Sequence, residues 1–160
     1  MRNLTTLAAP VAELLRERGD SIAVAESSTG GLISAALLSI GGASAWYRGG
    51  LVIYTLESRR DWLDLSQADV AGLQPLTIEM SDHFARSVRE RRGCTWGIAE
   101  LGATGPTGTR YGHDPGISAI AVNGPRSTGR VIETGSANRE ENMWRFLAEA
   151  MQLLEETLRE

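Results

Sequence analysis

The twenty residues from Ser21 to Ile40 constrain the fold more than any other stretch. Ser21–Ala25 is an apolar run too short for a helix and suited to a buried strand. It passes directly into Glu26-Ser27-Ser28-Thr29-Gly30-Gly31, and then into Leu32–Ile40, which is apolar or small on every side. A strand, a polar glycine turn and a buried helix, in that order, form the loop on which α/β proteins carry a phosphate or a nucleophile.

The rest of the chain extends this pattern. Leu7, Val11, Leu14 and Leu15 recur at helical spacing, and Gly19 closes that first helix. Gly50–Thr55 reads as a second strand and Glu57–Asp64 as a helix. Thr77 is placed to cap a helix that turns Met80, Phe84 and Val88 inward and ends in arginines. Trp96–Leu101 reads as a third strand, followed by a loop from Leu101 to Gly116 rich in glycine, threonine and proline. Ile117–Val122 and Arg130–Thr134 flank the turn residues Asn123-Gly124-Pro125. A last helix begins near Asn138, with Met143, Leu147, Ala150, Leu154 and Leu158 on its buried face. Early alternation of strands and helices, then a strand pair, predicts a three-layer α/β/α sandwich on a mixed sheet. At 160 residues it is expected to form one domain, residues 1–160.

Composition removes several functions. All sixteen basic residues are arginine, so mechanisms that need a lysine Schiff base, a lysine general base or a P-loop lysine are excluded. A net charge of −4 argues against binding nucleic acid through bulk electrostatics. Cys94 is the single cysteine, which excludes a disulfide framework and a Cys-rich zinc site. His83 and His113, beside Asp82 and Asp114, would have to converge from distant positions to bind a metal, and no metal is expected. No apolar run approaches ~18 residues and no signal peptide is apparent, so a cytoplasmic protein without membrane partners is expected.

Two clusters carry candidate chemistry. Hydroxyls and free N–H groups at the E-S-S-T-G-G turn suit a phosphate, a carboxylate or a developing oxyanion. The same residues also fit a purely structural role, with Ser28 or Thr29 capping the helix and the glycines allowing close packing. The loop Gly102-Ala103-Thr104-Gly105-Pro106-Thr107-Gly108 could wrap a phosphate or a ribose, or simply be flexible. Ser44, Tyr54, Arg59 and Arg139 are scattered, with no spacing that reveals a triad.

Taken together, these segments resemble the CinA C-terminal domain family, whose best-known members are nicotinamide-nucleotide amidohydrolases. E-S-S-T-G-G resembles the family's E-S-[CS]-T-G-G motif, and residues 41–55, G-G-A-S-A-W-Y-R-G-G-L-V-I-Y-T, resemble its approach to a catalytic tyrosine. Gly102–Gly108 resembles its G-I-A-G-P-x-G loop, and Arg139 stands at its arginine before the last helix. The resemblance covers about residues 7 to 158. It implies metal-free and cofactor-free deamidation of nicotinamide mononucleotide to the nicotinic acid form and ammonia, by a homo-oligomer. Ser27 and Ser44 are the two serine candidates and Tyr54 the tyrosine, while Glu26, Ser28, Thr29, Gly30, Gly31, Gly102, Thr104, Gly105 and Arg139 would hold the nucleotide.

The departures from the family bear on activity. Its Y-S-N-E-x-K pattern reads Y-T-L-E-S-R here, so its lysine is Arg59. The hydroxyl before its glycine loop is Leu101, and its aspartate before Arg139 is Asn138. Arginine is always protonated in proteins and cannot act as a base. Either Glu26, Tyr54 or His113 serves instead and turnover is slow, or the chain is an inactive paralogue that binds a nucleotide or a protein partner.

Overall fold

A computed structural model describes residues 2–160. The chain runs α1 (Leu4–Arg18), β1 (Ile22–Glu26), α2 (Leu32–Leu38), a 3₁₀ turn (Ala43–Ala45), β2 (Tyr47–Val52), α3 (Leu56–Leu63) and α4 (Ile78–Arg92). It continues with β3 (Trp96–Ala103), β4 (Ile117–Asn123), β5 (Ser127–Glu133) and α5 (Arg139–Arg159). The sheet order is β2-β1-β3-β4-β5. β1 is parallel to both β2 and β3, and the last two pairings are antiparallel. The expected mixed sheet is therefore present, and helices cover both faces.

Strand alternation divides the core in two. Ile22, Val24, Trp96 and Ile98 pack with α1, α2 and α5. Ala23, Ala25, Ala99 and Leu101 face Phe84, Ala85 and Val88 of α4 and Leu63 of α3. The small residues on this second face let α4 lie close against the sheet. Gly97 has no room for a side chain, since a Cβ there would come within 2.9 Å of both the Ala85 carbonyl carbon and Arg89 Cβ. Because backbone sets that limit, Gly97→Ala is expected to destabilise the fold by about 1–3 kcal/mol in urea unfolding. An unchanged midpoint would show that α4 can shift freely.

The expected caps are present: Gly19 closes α1, Thr77 opens α4, and Asn138 accepts from Glu141 N at the start of α5, while Asn3 and Gly93 bound the other ends of α1 and α4. Three strands are displaced from their expected limits. The fifth begins at Ser127 rather than Arg130 because pairing with β4 already starts at Asn123–Ser127, directly after the turn. The second begins at Tyr47 rather than Gly50, because pairing with β1 starts at Ile22, whose N–H donates to Trp46 O. It stops at Val52 because Thr55 leaves the sheet to form a capping box with Ser58 at the head of α3. The third runs on to Ala103, since Gly102 and Ala103 still pair with Ser118 and Ile117 of β4. The long glycine loop is thereby shortened to residues 104–116.

Candidate functional site

Where the order β2-β1-β3 reverses the direction of chain travel, the loops after β1 and β3 part and leave a crevice at the strand ends. Two register-paired glutamates, Glu26 and Glu100, close β1 and approach the end of β3, and both are fully buried. Glu26 accepts from Gly31 N (2.8 Å), Ile33 N (3.1 Å) and Ser34 N (2.9 Å), and from Thr29 Oγ1 (2.8 Å). The first turn of α2 is thus satisfied by the chain's own carboxylate. This corrects the expectation that those N–H groups are free for an anionic ligand.

Glu100 ties the other side of the same turn. Its Oε1 accepts from Ser28 Oγ (2.5 Å) and Ser118 Oγ (3.0 Å). Its Oε2 accepts from Thr29 N (3.0 Å), Thr29 Oγ1 (3.0 Å) and Ser27 N (3.3 Å). Burial pushes the Glu100 carboxyl above the ordinary carboxylate range, against the opposing pull of these hydrogen bonds. Gly102 lies directly over this arrangement. A Cβ on it would come within 2.5 Å of Ser28 Oγ, 2.7 Å of Glu100 Oε1 and 2.9 Å of Ile117 O.

In front of the turn opens a pocket of about 950 Å³. Ser27, Leu101 and Gly102 form its floor, Tyr54 and Arg59 one wall, and Thr109, Arg110 and Tyr111 another. Leu65, Val70, Leu73 and Leu76 from the segment between α3 and α4 form an apolar side, together with Met80 and Phe84. The Arg59 guanidinium stacks over Phe84 with its carbon 5.3 Å from the ring centre, and its Nε donates to Ile53 O (3.3 Å). Burial lowers its hold on its proton, while Tyr111 and Glu100 oppose that shift. Among the described residues, no carboxylate lies within 4.0 Å of Arg59, Arg110 or Arg139. Arg139 Nη2 donates to Tyr54 Oη (3.1 Å) and Nη1 donates to Gly105 O (2.5 Å), so it anchors both the tyrosine and the glycine loop.

The expected residues thus separate into three groups. Ser27, Tyr54, Arg59 and Gly102 line one pocket, with Arg139 beside Tyr54. Glu26, Ser28, Thr29, Gly30 and Gly31 build the turn behind it rather than its surface. The left-handed backbone at Gly30 and Gly31 (φ 64° and 101°) is what that turn requires. Thr104 and Gly105 are buried, and their carbonyls are taken by Asn142 and Arg139. Ser44 is placed elsewhere. It is exposed on the 3₁₀ turn before β2, at the opposite ends of the parallel strands, with the length of β1 (about 15 Å) between it and Ser27.

His113, weighed above as a base, bonds through Nδ1 to Thr109 Oγ1 (2.8 Å) within its own loop. Among the described residues, no group of three His, Cys, Asp or Glu side chains is placed to hold a metal. Burial pushes the Cys94 thiol up, away from nucleophilic behaviour. Sequence reasoning missed Glu100, Asn142 and the pair Arg110–Tyr111. A charge inside the apolar strand W-G-I-A-E-L was the available signal for Glu100. An asparagine in the buried stripe of α5 was the signal for Asn142, which donates to Thr104 O and Ser136 O and accepts from Thr134 Oγ1. Nothing local marked Arg110 and Tyr111.

Comparison with known proteins places this geometry among relatives. The family model of the CinA C-terminal domain matches residues 4–158. A CinA-like protein of Acaryochloris marina is 34% identical over 123 residues, which is 77% of this chain and 29% of that protein. A CinA-like protein of Synechococcus elongatus is 31% identical over 155 residues, 96% of this chain and 37% of that protein. The chain therefore spans about a third of the length of these curated relatives. The crystal structure of a competence-damaged protein (CinA) superfamily protein from Klebsiella pneumoniae superposes with a TM-score of 0.90 at 26% identity, covering 98% of both chains.

Proposed function

This chain belongs to the CinA C-terminal domain family, and from that premise we propose that it binds a pyridine mononucleotide and hydrolyses its nicotinamide amide slowly. The observation that carries the reading is the pocket that brings Ser27, just after β1, together with Tyr54 and Arg59 of the β2–α3 segment. An aromatic ring fits against its apolar side, and a phosphate fits Arg110 and Arg139, which no carboxylate neutralises.

In this reading Ser27 Oγ attacks the amide carbon and Arg59 stabilises the oxyanion. Tyr54, held by Arg139, passes the Ser27 proton to the nitrogen that leaves as ammonia. A water then hydrolyses the Ser27 ester, releasing the acid and restoring the hydroxyl. The reaction needs no metal and no cofactor. A second reading, an inactive nucleotide-binding module, is favoured by one observation: Arg59 is fixed by Ile53 O and Phe84 and offers no base.

Ammonia release from nicotinamide mononucleotide decides between the two. Measurable turnover is expected in the wild type, falling at least about 10³-fold in Ser27→Ala. Nucleotide binding without turnover would assign the module instead. Among the described residues no helix is long and apolar enough to cross a membrane. The reading places the protein in the cytoplasm as a homo-oligomer. The exposed Val52 and Trp62 beside the edge strand β2 are the surface that supports self-association.

A further inference from the structure

Counting protons around the two buried glutamates shows one too few. Four short oxygen–oxygen contacts link carboxyl to hydroxyl: Thr29 Oγ1 to Glu26 (2.8 Å) and to Glu100 (3.0 Å), and Ser28 Oγ (2.5 Å) and Ser118 Oγ (3.0 Å) to Glu100. Three hydroxyls bring three protons, so with both acids ionised one contact would set two lone pairs against each other. Thr29 makes this plain, because its single O–H lies between an oxygen of each glutamate. One further proton, on a carboxyl group, completes the set.

The surroundings decide which carboxyl carries it. Glu26 accepts three backbone N–H groups at the start of α2, which can only donate and which suit a full negative charge. Glu100 accepts two backbone N–H groups at 3.0 and 3.3 Å, and its other partners are hydroxyls that can turn round and accept. Among the described residues, the charged groups that face it are Glu26, on a strand ~4.8 Å away, and Arg59 of α3, which forms no ion pair with it. The turn and β4 present only hydroxyls and amides.

We propose that Glu26 and Glu100 hold a single proton between them, resident on Glu100, and that this neutral acid is the positioning group for Ser27. The acid fixes the Ser27–Thr29 turn through Ser28 Oγ and Thr29 N, and adds a longer contact to Ser27 N (3.3 Å), which also donates to the Glu100 main-chain carbonyl (3.0 Å). Ionising it places a second charge in the pair and sets a lone pair against Thr29 Oγ1, which loosens the floor of the pocket. The role of the turn rests on the hydrolase reading above, whereas the location of the proton does not.

The test uses the full chain with ¹³C at its glutamate carboxyl carbons. The Glu100 signal, identified by its loss in Glu100→Gln, is expected to stay at the neutral-acid position well above the pH at which a free glutamate ionises. A Glu100 signal that titrates near ~4.3, the value of a free glutamate, overturns the proposal. Stability gives a second measurement. Above ~4.3 the unfolded chain has released this proton and the folded chain has kept it, so raising the pH favours unfolding until the folded group also ionises. The folding equilibrium constant of the wild type is expected to fall by up to about tenfold per pH unit relative to Glu100→Gln. Parallel pH profiles overturn it.

The positioning role is read from turnover. Glu100→Ala is expected to lose at least about tenfold in kcat, and Glu100→Gln to recover most of that loss with its alkaline limb moved to higher pH. Equal loss in both variants overturns that role. If the wild type releases no ammonia, the hydrolase reading fails, while the carboxyl signals and the stability profile still decide where the proton sits.

Discussion

Arg59→Lys is expected to raise ammonia release from nicotinamide mononucleotide by about 10²–10⁴-fold over the wild type, the usual worth of a positioned general base. The environment of residue 59 is already suited to such a base. It is half-buried on the pocket wall, faces no carboxylate within 4.0 Å among the described residues, and sits against Phe84. Burial that lowers proton affinity does little to a guanidinium, which starts too high to titrate. The same burial acting on an ammonium brings it toward the working range, where the neutral amine can take a proton from Ser27. Lysine keeps one positive charge in the acidic form, so nucleotide affinity should change only a few-fold. The comparison is made on kcat at saturating substrate and on kcat/KM at sub-saturating substrate. A variant no faster than the wild type would mean that the proton leaves Ser27 by another path, with Tyr54 and Glu57 the other ionisable groups on that side of the pocket.

The sequence makes the turn legible because its signals are local. Strand, E-S-S-T-G-G and apolar helix succeed one another within twenty residues, and the caps at Thr77 and Asn138 each depend on a neighbour three positions away. What it hides is set by pairing across the sheet. Glu100 meets Glu26 only because β1 and β3 run in register, seventy-odd residues apart. Ser44 looked equivalent to Ser27 because both stand beside small residues in family-like segments. The strand between them sends one to each end of the sheet. Nor does composition tell which N–H groups are spoken for. The free helix start expected of the E-S-S-T-G-G turn is already closed by Glu26, so in the proposed reading a phosphate is met instead by Arg110, which lines the pocket, and by Arg139 beside Tyr54. Arg110 comes from the glycine loop and Arg139 from the first turn of α5, two segments that Asn142 clamps together.

The two glutamates also differ in how they should tolerate an isosteric amide. Glu26→Gln is expected to cost about 2–4 kcal/mol, and Glu100→Gln less than about 1 kcal/mol near neutral pH. Every partner of Glu26 other than Thr29 is a backbone N–H, shared between both carboxylate oxygens. An amide has one oxygen, so its NH₂ must face either Ser34 N or the pair Gly31 N and Ile33 N, donor against donor, with no water to relieve the clash. At position 100 the amide places its oxygen on the side of Thr29 N and Ser27 N and its NH₂ toward Ser28 and Ser118, whose hydroxyls reverse to accept. Only the 3.0 Å contact with Thr29 Oγ1 is then left without a proton. In a chain of this size the Glu26 loss lowers Tm by on the order of 10 °C and removes a large share of the usual ~5–15 kcal/mol of folding stability. Urea and thermal unfolding of the two variants at one pH measure the difference directly. Equal losses would mean that both acids are ionised in the folded chain and that the turn is held by charge rather than by a counted set of protons.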